Sequence, residues 1–464
     1  MKFDFPQGFW WGAATSGIQS EGNTNQKNKS VWELWYEKNP ERFEDNIGPQ
    51  KVCDTYNKYK EDVKLMKDIN LNSLRTSIQW SRLIKDFDTG EVCQDAVRFY
   101  NEYFNEMIKN GIEPIINLYH FDMPAYLQEK YGGFESKKVI DLYVIYAKKA
   151  FELFGHKIKF WTTFNEPIVP VEGGYLYDFH YPNKKDMKLA IQVAYNSILA
   201  HAKVVNLYKN MNFDGKIGVI LNLTPSYPKS NETKDLEASE MADLFFNRSF
   251  LDPMVKNEFS KELCQLLEKH SLIPVTKIED LEEIKKAKLD FLGVNYYVPR
   301  RVKAKDKNNE NQIKLETPED YFDYYKNPEG RFNPYRDGNE IWPKAVYDIA
   351  KNIQENYNNI PWYLAEIGIA MDLNSEGGAI EGIINDNFRT DLLKEHLVEL
   401  HKAIKEGSNC FGVHMWTFID CWSWTNSFKR RYGFYRLDLK TGERIIKSNA
   451  LWFKKVSEKN GFEI

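Results

Sequence analysis

Residues 159–167 read KFWTTFNEP, a short, nearly continuous apolar run that breaks off into Asn165, Glu166 and Pro167. Such a run reads as a strand buried on both faces, the kind found in parallel sheets. The segment before it has a different rhythm. Over 139–154, Ile140, Tyr143, Ala147, Phe151 and Phe154 recur at helical spacing, and Gly155 follows as a stop. Upstream again, EPIINLYH (113–120) is another buried-strand run. It is preceded by a helical pattern over 95–110, with Val97, Tyr100, Phe104, Met107 and Ile108 on one face and Gly111 as its stop.

The same alternation extends in both directions. Further strand runs are FWWGAATSG (9–17), SLRTSIQW (73–80), KIGVILNLTP (216–225), DFLGVNYY (290–297), PWYLAEIGIA (361–370) and CFGVHMWTFID (410–420). Eight strand–helix repeats point to an α/β fold of the closed (β/α)8 barrel type, a TIM barrel with long strand–helix loops. An open doubly wound sheet is the alternative, weakened by the absence of GxGxxG after the first strand. No Pro-, Gly- or Ser-rich linker divides the chain, so residues 1–464 read as one barrel domain. The stretch 301–341 is charged, Tyr-rich and without clear periodicity. It reads as a long loop after strand six, either shaping substrate access or forming a solvated insertion.

Bulk composition narrows the function. A net charge of −4 gives no basic field for nucleic acid or anionic lipid. Aromatic residues make up 15% of the chain, more than a core needs, which favours stacking surfaces for carbohydrate. Five scattered cysteines without CxxC spacing argue against a disulfide framework or structural zinc. The N-terminal stretch has no long apolar region and no run approaches 18 apolar residues. No leader and no membrane span are therefore expected, and the expected location is the cytoplasm.

Polar residues cluster where the strand runs stop: Gln19, Arg75, His120, Asn165 with Glu166, Asn295 with Tyr296, Glu366, and Trp416 with Asp420. A barrel brings all its strand C-termini to one face. Two carboxylates there, with Arg and Tyr beside them, fit acetal cleavage. One acid protonates the leaving oxygen, and one carboxylate traps the oxocarbenium-like centre. Metal ligation would need a third carboxylate or a His cluster, and only His120 and Asp420 are on offer. No metal or other cofactor is implied.

These residues resemble the motifs of glycoside hydrolase family 1, the retaining β-glycosidases built on a (β/α)8 barrel. The likeness runs from FPQGFWWGAATSGIQSEG to RIIKSNALWF. TFNEP resembles the family's acid/base motif, which implies Glu166 as general acid/base and Asn165 as partner of the sugar 2-hydroxyl. LAEIG is similar to the nucleophile motif, which implies Glu366 as nucleophile, although Ile367-Gly368 replaces the usual Asn-Gly. LRTSIQWSRL implies that Arg75 pairs with the nucleophile, lowering its pKa, and NYY implies that Tyr296 hydrogen-bonds it. Gln19 and His120 are implied glycone contacts, with Trp416 a further substrate contact. Phe121 stands where the family usually has Trp.

The stretch CWSWTNSFKRRYGF (421–434) bears on the choice of sugar. Family members acting on plain glycosides carry Glu before the Trp of this loop, and here Ser423 precedes Trp424. Removing that carboxylate suits a 6-phosphate, which it would repel. The family's 6-phospho branch has Ser, then Lys seven residues on and Tyr nine on. Here Arg430 and Tyr432 stand at those spacings, and Arg binds phosphate in a bidentate manner. The resemblance thus implies hydrolysis of 6-phospho-β-D-glucosides, either disaccharide phosphates or aryl glucoside phosphates. A β-glucosidase, a 6-phospho-β-galactosidase (Trp424 is kept in that group) and a catalytically silent sugar-binding barrel are the alternatives. A small carbohydrate is the expected partner. The aglycone and the oligomeric state are not readable from the chain.

Overall fold

The computed structural model describes residues 1–464 apart from 51, 306–313 and 373–374. Eight parallel strands close into a barrel: β1 (Trp10–Ala14), β2 (Ser73–Ser77), β3 (Glu113–Asn117), β4 (Phe160–Asn165), β5 (Lys216–Asn222), β6 (Phe291–Tyr296), β7 (Trp362–Ile367) and β8 (Cys410–Trp416). Each pairs with its neighbours in sequence, and β8 pairs back onto β1. All eight lie within the runs read from the sequence. A long helix follows each strand: α1 (Thr55–Asp68), α2 (Gln94–Lys109), α3 (Lys137–Phe154), α4 (Met187–Asn210), α5 (Ile278–Lys286), α6 (Lys344–Asn356), α7 (Asn387–Lys405) and α8 (Ser448–Lys459).

The helices form where the 3.6-residue pattern put them. In α3 all five marked residues are buried, and the Ser136 hydroxyl caps the start by accepting from the Lys138 N–H at 3.2 Å. In α2 the buried stripe is Ala96, Phe99, Tyr100, Tyr103, Phe104 and Met107. Ile108, expected on that stripe, is 43% exposed, because it sits one position past the face that Met107 closes. Gly111 adopts φ +76°, the left-handed stop expected of it.

The 301–341 region is more ordered than its composition suggested. Arg300–Ala304 pairs in parallel with Ser226–Pro228 and antiparallel with Phe322–Tyr324, making a small outer sheet. The segment 306–313 lies outside the described residues. Among the described residues no helix is long and apolar enough to cross a membrane.

One mouth of the barrel is plugged. Trp10, Phe160, Phe291, Tyr363 and Phe411, each first or second in its strand, pack as one aromatic layer with Ile220 and Ala365. Trp10 meets Phe160, Phe411 and Tyr363 edge-on at 4.6, 4.9 and 5.5 Å. The polar strand ends are thereby confined to the opposite mouth. Just above the plug, His414 Nε2 lies 2.9 Å from the Ser73 hydroxyl. Gly12 lies between them: a Cβ there would meet His414 Nε2 at 2.4 Å and the Ser73 carbonyl oxygen at 2.6 Å. Gly12→Ala is therefore expected to cost about 1–3 kcal/mol of stability. The check is the urea midpoint, and an unchanged midpoint would show that the barrel interior yields at this point.

Candidate active site

Two irregularities in the barrel ladders place the two carboxylates. On β7 the outward-facing Leu364 pairs with Val294, but the next pair is Glu366 with Asn295, so Ala365 is an inserted residue. Strand side chains alternate, so without the bulge Glu366 would share the outer face of Leu364. On β4 the register with β5 slips between Thr162 and Asn165. Thr162 donates inward to Asn117 Oδ1 at 2.9 Å, while Thr163 faces His201 of α4 at 2.7 Å. The slip returns Asn165 to the barrel axis. Glu166 follows at φ +45°, a left-handed conformation uncommon for a non-glycine residue. Its N–H donates to the Ile220 carbonyl at 2.9 Å.

The two carboxyls have different donors. Asn295 Nδ2 donates to Glu166 Oε1 at 2.8 Å and to Asn165 Oδ1 at 3.1 Å. Glu366 has two donors of its own. One oxygen pairs with Arg75 and the other accepts from the Tyr297 hydroxyl. Arg75 is fully buried, and its Nη1 also donates to the Thr15 carbonyl at 3.0 Å and to His120 Nδ1 at 3.1 Å.

Charge is divided unequally between the two. Burial, and then the negative charge on Glu366, push the Glu166 carboxyl up to about 8. Burial also raises Glu366 above the ordinary range, but there Arg75, Tyr297 and Asn295 work against it. Arg75 lowers this carboxyl as the sequence implied, but desolvation is the larger effect and leaves it above its normal value. With one proton to share, the groups place it on Glu166, which forms no ion pair among the described residues and feels Arg75 less than Glu366 does. Burial first, and Arg75 second, hold His120 neutral, well below the usual imidazole range. Because its Nδ1 accepts from Arg75, its Nε2 carries the hydrogen.

An aromatic wall flanks the pair. The His120 ring stacks on Trp416 at 5.9 Å and on Trp424 at 6.1 Å, and the Arg75 guanidinium lies 5.6 Å from the centre of the Trp416 ring. Trp424 packs on Trp32 and Phe121. Gln19 is fixed by the Ser16 hydroxyl and by the Trp422 carbonyl, both at 2.8 Å, which places it against the loop after β8. In that loop Ser423 is half-buried and Tyr432 is buried.

Two sequence-predicted contacts differ. Tyr296 does not reach Glu366; its hydroxyl donates to the Trp342 carbonyl at 2.8 Å, outside the barrel. Tyr297 makes the contact instead. Alternation on β6 explains the correction: Phe291 lies in the interior plug and Asn295 faces the carboxylates, so Tyr297 shares their parity and Tyr296 does not. Arg430 is committed elsewhere, paired with the Asp372 carboxylate and donating to the Tyr335 carbonyl at 3.1 Å. The contact that sequence reasoning missed beside Tyr432 is Arg336, whose Nη1 lies 3.3 Å from the Tyr432 hydroxyl.

The sequence model of Glycosyl hydrolase family 1 matches residues 1–462. The chain is 50% identical to 6-phospho-beta-glucosidase GmuD of Bacillus subtilis (strain 168), over 99% of both proteins. It is 34% identical to a 6-phospho-beta-galactosidase of Clostridium acetobutylicum, over 98% of this chain and 97% of that one. Among solved structures, the family 1 β-glucosidase from Thermotoga maritima superposes with a TM-score of 0.90 at 31% identity, covering 99% of this chain and all of that one.

The two tyrosines give a discriminating test. Losing a hydrogen bond to a charged group costs about 1.5–3 kcal/mol, roughly 10–100-fold in rate. Tyr297→Phe is expected to lower kcat on an aryl glycoside by that factor. Tyr296→Phe should leave kcat within about threefold and act on stability instead, by about 1–3 kcal/mol. The reverse pattern would return the role to Tyr296.

Proposed function

The chain belongs to glycosyl hydrolase family 1, and on that premise we propose that it hydrolyses 6-phospho-β-D-glucosides with retention of configuration. Glu366 is the nucleophile and Glu166 the general acid/base. The observation that carries this reading is the buried carboxyl pair at one barrel mouth, with Arg75 and Tyr297 on one member and, among the described residues, Asn295 but no ion pair on the other. A carboxylate held by Arg75 and Tyr297, beside a second buried acid that is protonated, supports the nucleophile and acid/base pair of retaining enzymes.

The chemistry follows from that asymmetry. Glu366 attacks the anomeric carbon as Glu166 passes its proton to the glycosidic oxygen and the aglycone leaves. Glu366 is then an ester and carries no charge. The like charge that raised Glu166 has gone, so Glu166 holds its proton less tightly and serves as base to the incoming water. That water attacks the anomeric carbon, breaks the ester and restores both carboxyls. Arg75 orients the nucleophile, and Asn165 is placed by Asn295 to meet the sugar 2-hydroxyl. Gln19, the Nε2–H of His120 and the Trp416 and Trp424 rings form the glycone wall.

The 6-phosphate is supported by the full-length likeness to the Bacillus enzyme and by Ser423 standing where a carboxylate would repel it. A cytoplasmic location is part of this proposal; a phosphorylated sugar substrate supports it, and the cysteines are all free thiols among the described residues. Trp424 also keeps the galacto epimer in play, and comparing nitrophenyl β-glucoside 6-phosphate with its galactoside 6-phosphate decides between them.

Glu366→Gln is expected to lower kcat at least about a thousandfold while the protein stays folded; a wild-type-like kcat would sink the assignment. The acid must be protonated, so kcat/KM should fall as pH rises through about 8, the value to which Glu166 is pushed. A phosphomonoester itself titrates near pH 6, so the acidic limb mixes enzyme and substrate while the basic limb reports the enzyme. Glu166→Gln should abolish the basic limb, and its survival would move the acid to another group.

A further inference from the structure

The loop after β8 carries three consecutive cations, and each has its own carboxylate. Lys429 pairs with Glu44 at 2.8 Å, Arg430 with Asp372, and buried Arg431 with Asp420 at 3.6 Å. The Arg430–Asp372 pair carries no net charge. It is also fixed in place, because Arg430 and Arg431 form a short antiparallel ladder with Met371 and Asp372. The cation at the family spacing from Ser423 is therefore neutralised by its own carboxylate.

Arg336 is in the opposite state. It comes from a different loop, the one between β6 and α6, and is half-buried. The one polar contact its guanidinium makes among the described residues is with the Tyr432 hydroxyl, and no carboxylate lies within ion-pairing distance of it. Its surroundings are built. Arg301 grips Glu340 with two bonds of 2.8 and 2.9 Å, the Asn333 amide donates to the Ala370 carbonyl at 2.9 Å, and Arg430 holds the Tyr335 carbonyl, one residue before Arg336. Tyr432 directly follows the ladder that Arg430 and Arg431 make with Met371 and Asp372 just past β7, and its N–H donates to Asp420 just past β8 at 3.0 Å, so the Arg336–Tyr432 contact lies at the barrel mouth that holds Glu366.

We infer that Arg336 supplies the cation for the substrate's 6-phosphate, with the Tyr432 and Ser423 hydroxyls beside it, and that Arg430 is a positioning residue that holds the Arg336 loop and cancels Asp372. The inference rests on the 6-phosphoglycoside reading above. It makes phosphate specificity a joint property of two loops, after β6 and after β8. A guanidinium free of carboxylate has its full fork of donors for phosphate oxygens, whereas one already bound to Asp372 does not. The phosphate would also meet net positive charge, because Asp372 is masked by Arg430.

The test measures kcat and KM for nitrophenyl β-glucoside 6-phosphate and for nitrophenyl β-glucoside, in wild type, Arg336→Ala, Arg336→Lys and Arg430→Ala. Arg336→Ala should lose about 10–100-fold in kcat/KM on the phosphorylated substrate, mainly through KM, and stay within about threefold on the plain glucoside. Arg336→Lys should recover part of the loss, since the charge returns without the fork. Arg430→Ala should lower thermal stability as well as phosphate selectivity. If wild type prefers the plain glucoside, the 6-phosphate reading fails and this inference with it. If wild type prefers the phosphate but Arg336→Ala loses equally on both substrates, or loses nothing, only the role of Arg336 is overturned. An Arg430→Ala variant that alone loses selectivity, at unchanged stability, would return the phosphate contact to Arg430.

Discussion

The site depends on one buried ion pair. Glu366 is almost wholly removed from water, and a carboxylate there is sustained only by a counter-charge with its own hydrogen bonds. Arg75 provides that from β2 while also holding the Thr15 carbonyl just past β1 and His120 just past β3. The Trp416 ring at the end of β8 covers it. A single guanidinium therefore joins the ends of β1, β2, β3, β7 and β8. Removing either partner of such a pair leaves an unpaired buried charge, at about 3–5 kcal/mol. Architecture and chemistry are coupled at this point, because the group that fixes the strand ends also decides which carboxyl is ionised.

The second carboxyl takes its character from what it lacks. Glu166 has an amide, Asn295, where Glu366 has an arginine and a phenol. Two buried acids in dissimilar settings separate into a protonated and an ionised member. Burial contributes to both shifts, so the difference in role comes from the asymmetric placing of Arg75. The bulge at Ala365 and the slip near Thr163 are what make that placing possible, each turning a side chain by one position of the strand alternation.

Eight strands and the helices between them were legible because barrel strands are buried on both faces and helices on one, so each leaves its own period in the chain. The acids at the ends of β4 and β7 were legible through the TFNEP and LAEIG motifs. The sequence does not separate Tyr296 from Tyr297, because two adjacent tyrosines differ only in parity, which must be counted from a residue of known facing such as Phe291. Bulges leave no compositional trace, so the parity at Glu366 could not be counted from Tyr363. Arg336 was invisible for another reason: it lies in a stretch without periodicity, and what distinguishes it from Lys429, Arg430 and Arg431 is that no carboxylate among the described residues pairs with it in space.

The loop after β8 is itself held by buried charge. Asp420 accepts from the backbone of Tyr432 at 3.0 Å and of Gly433 at 2.7 Å, and it pairs with Lys447 at 2.8 Å. Lys447 also pairs with Glu376, which binds Arg389 at 2.8 Å, and Arg389 binds Asp386 at 2.7 Å and donates to the Arg431 carbonyl at 2.6 Å. Three cations, Lys447, Arg389 and Arg431, thus balance three carboxylates, Asp420, Glu376 and Asp386. Burial opposes ionisation of Asp420, but these cations outweigh it and hold the carboxyl below its ordinary range. Such a network contributes little net stability compared with an apolar core of the same shape. Its use here is geometric. Directional bonds fix the backbone of residues 431–433, and so fix the Tyr432 hydroxyl where Arg336 meets it from a separate loop. Apolar packing is non-directional and would set that position less sharply.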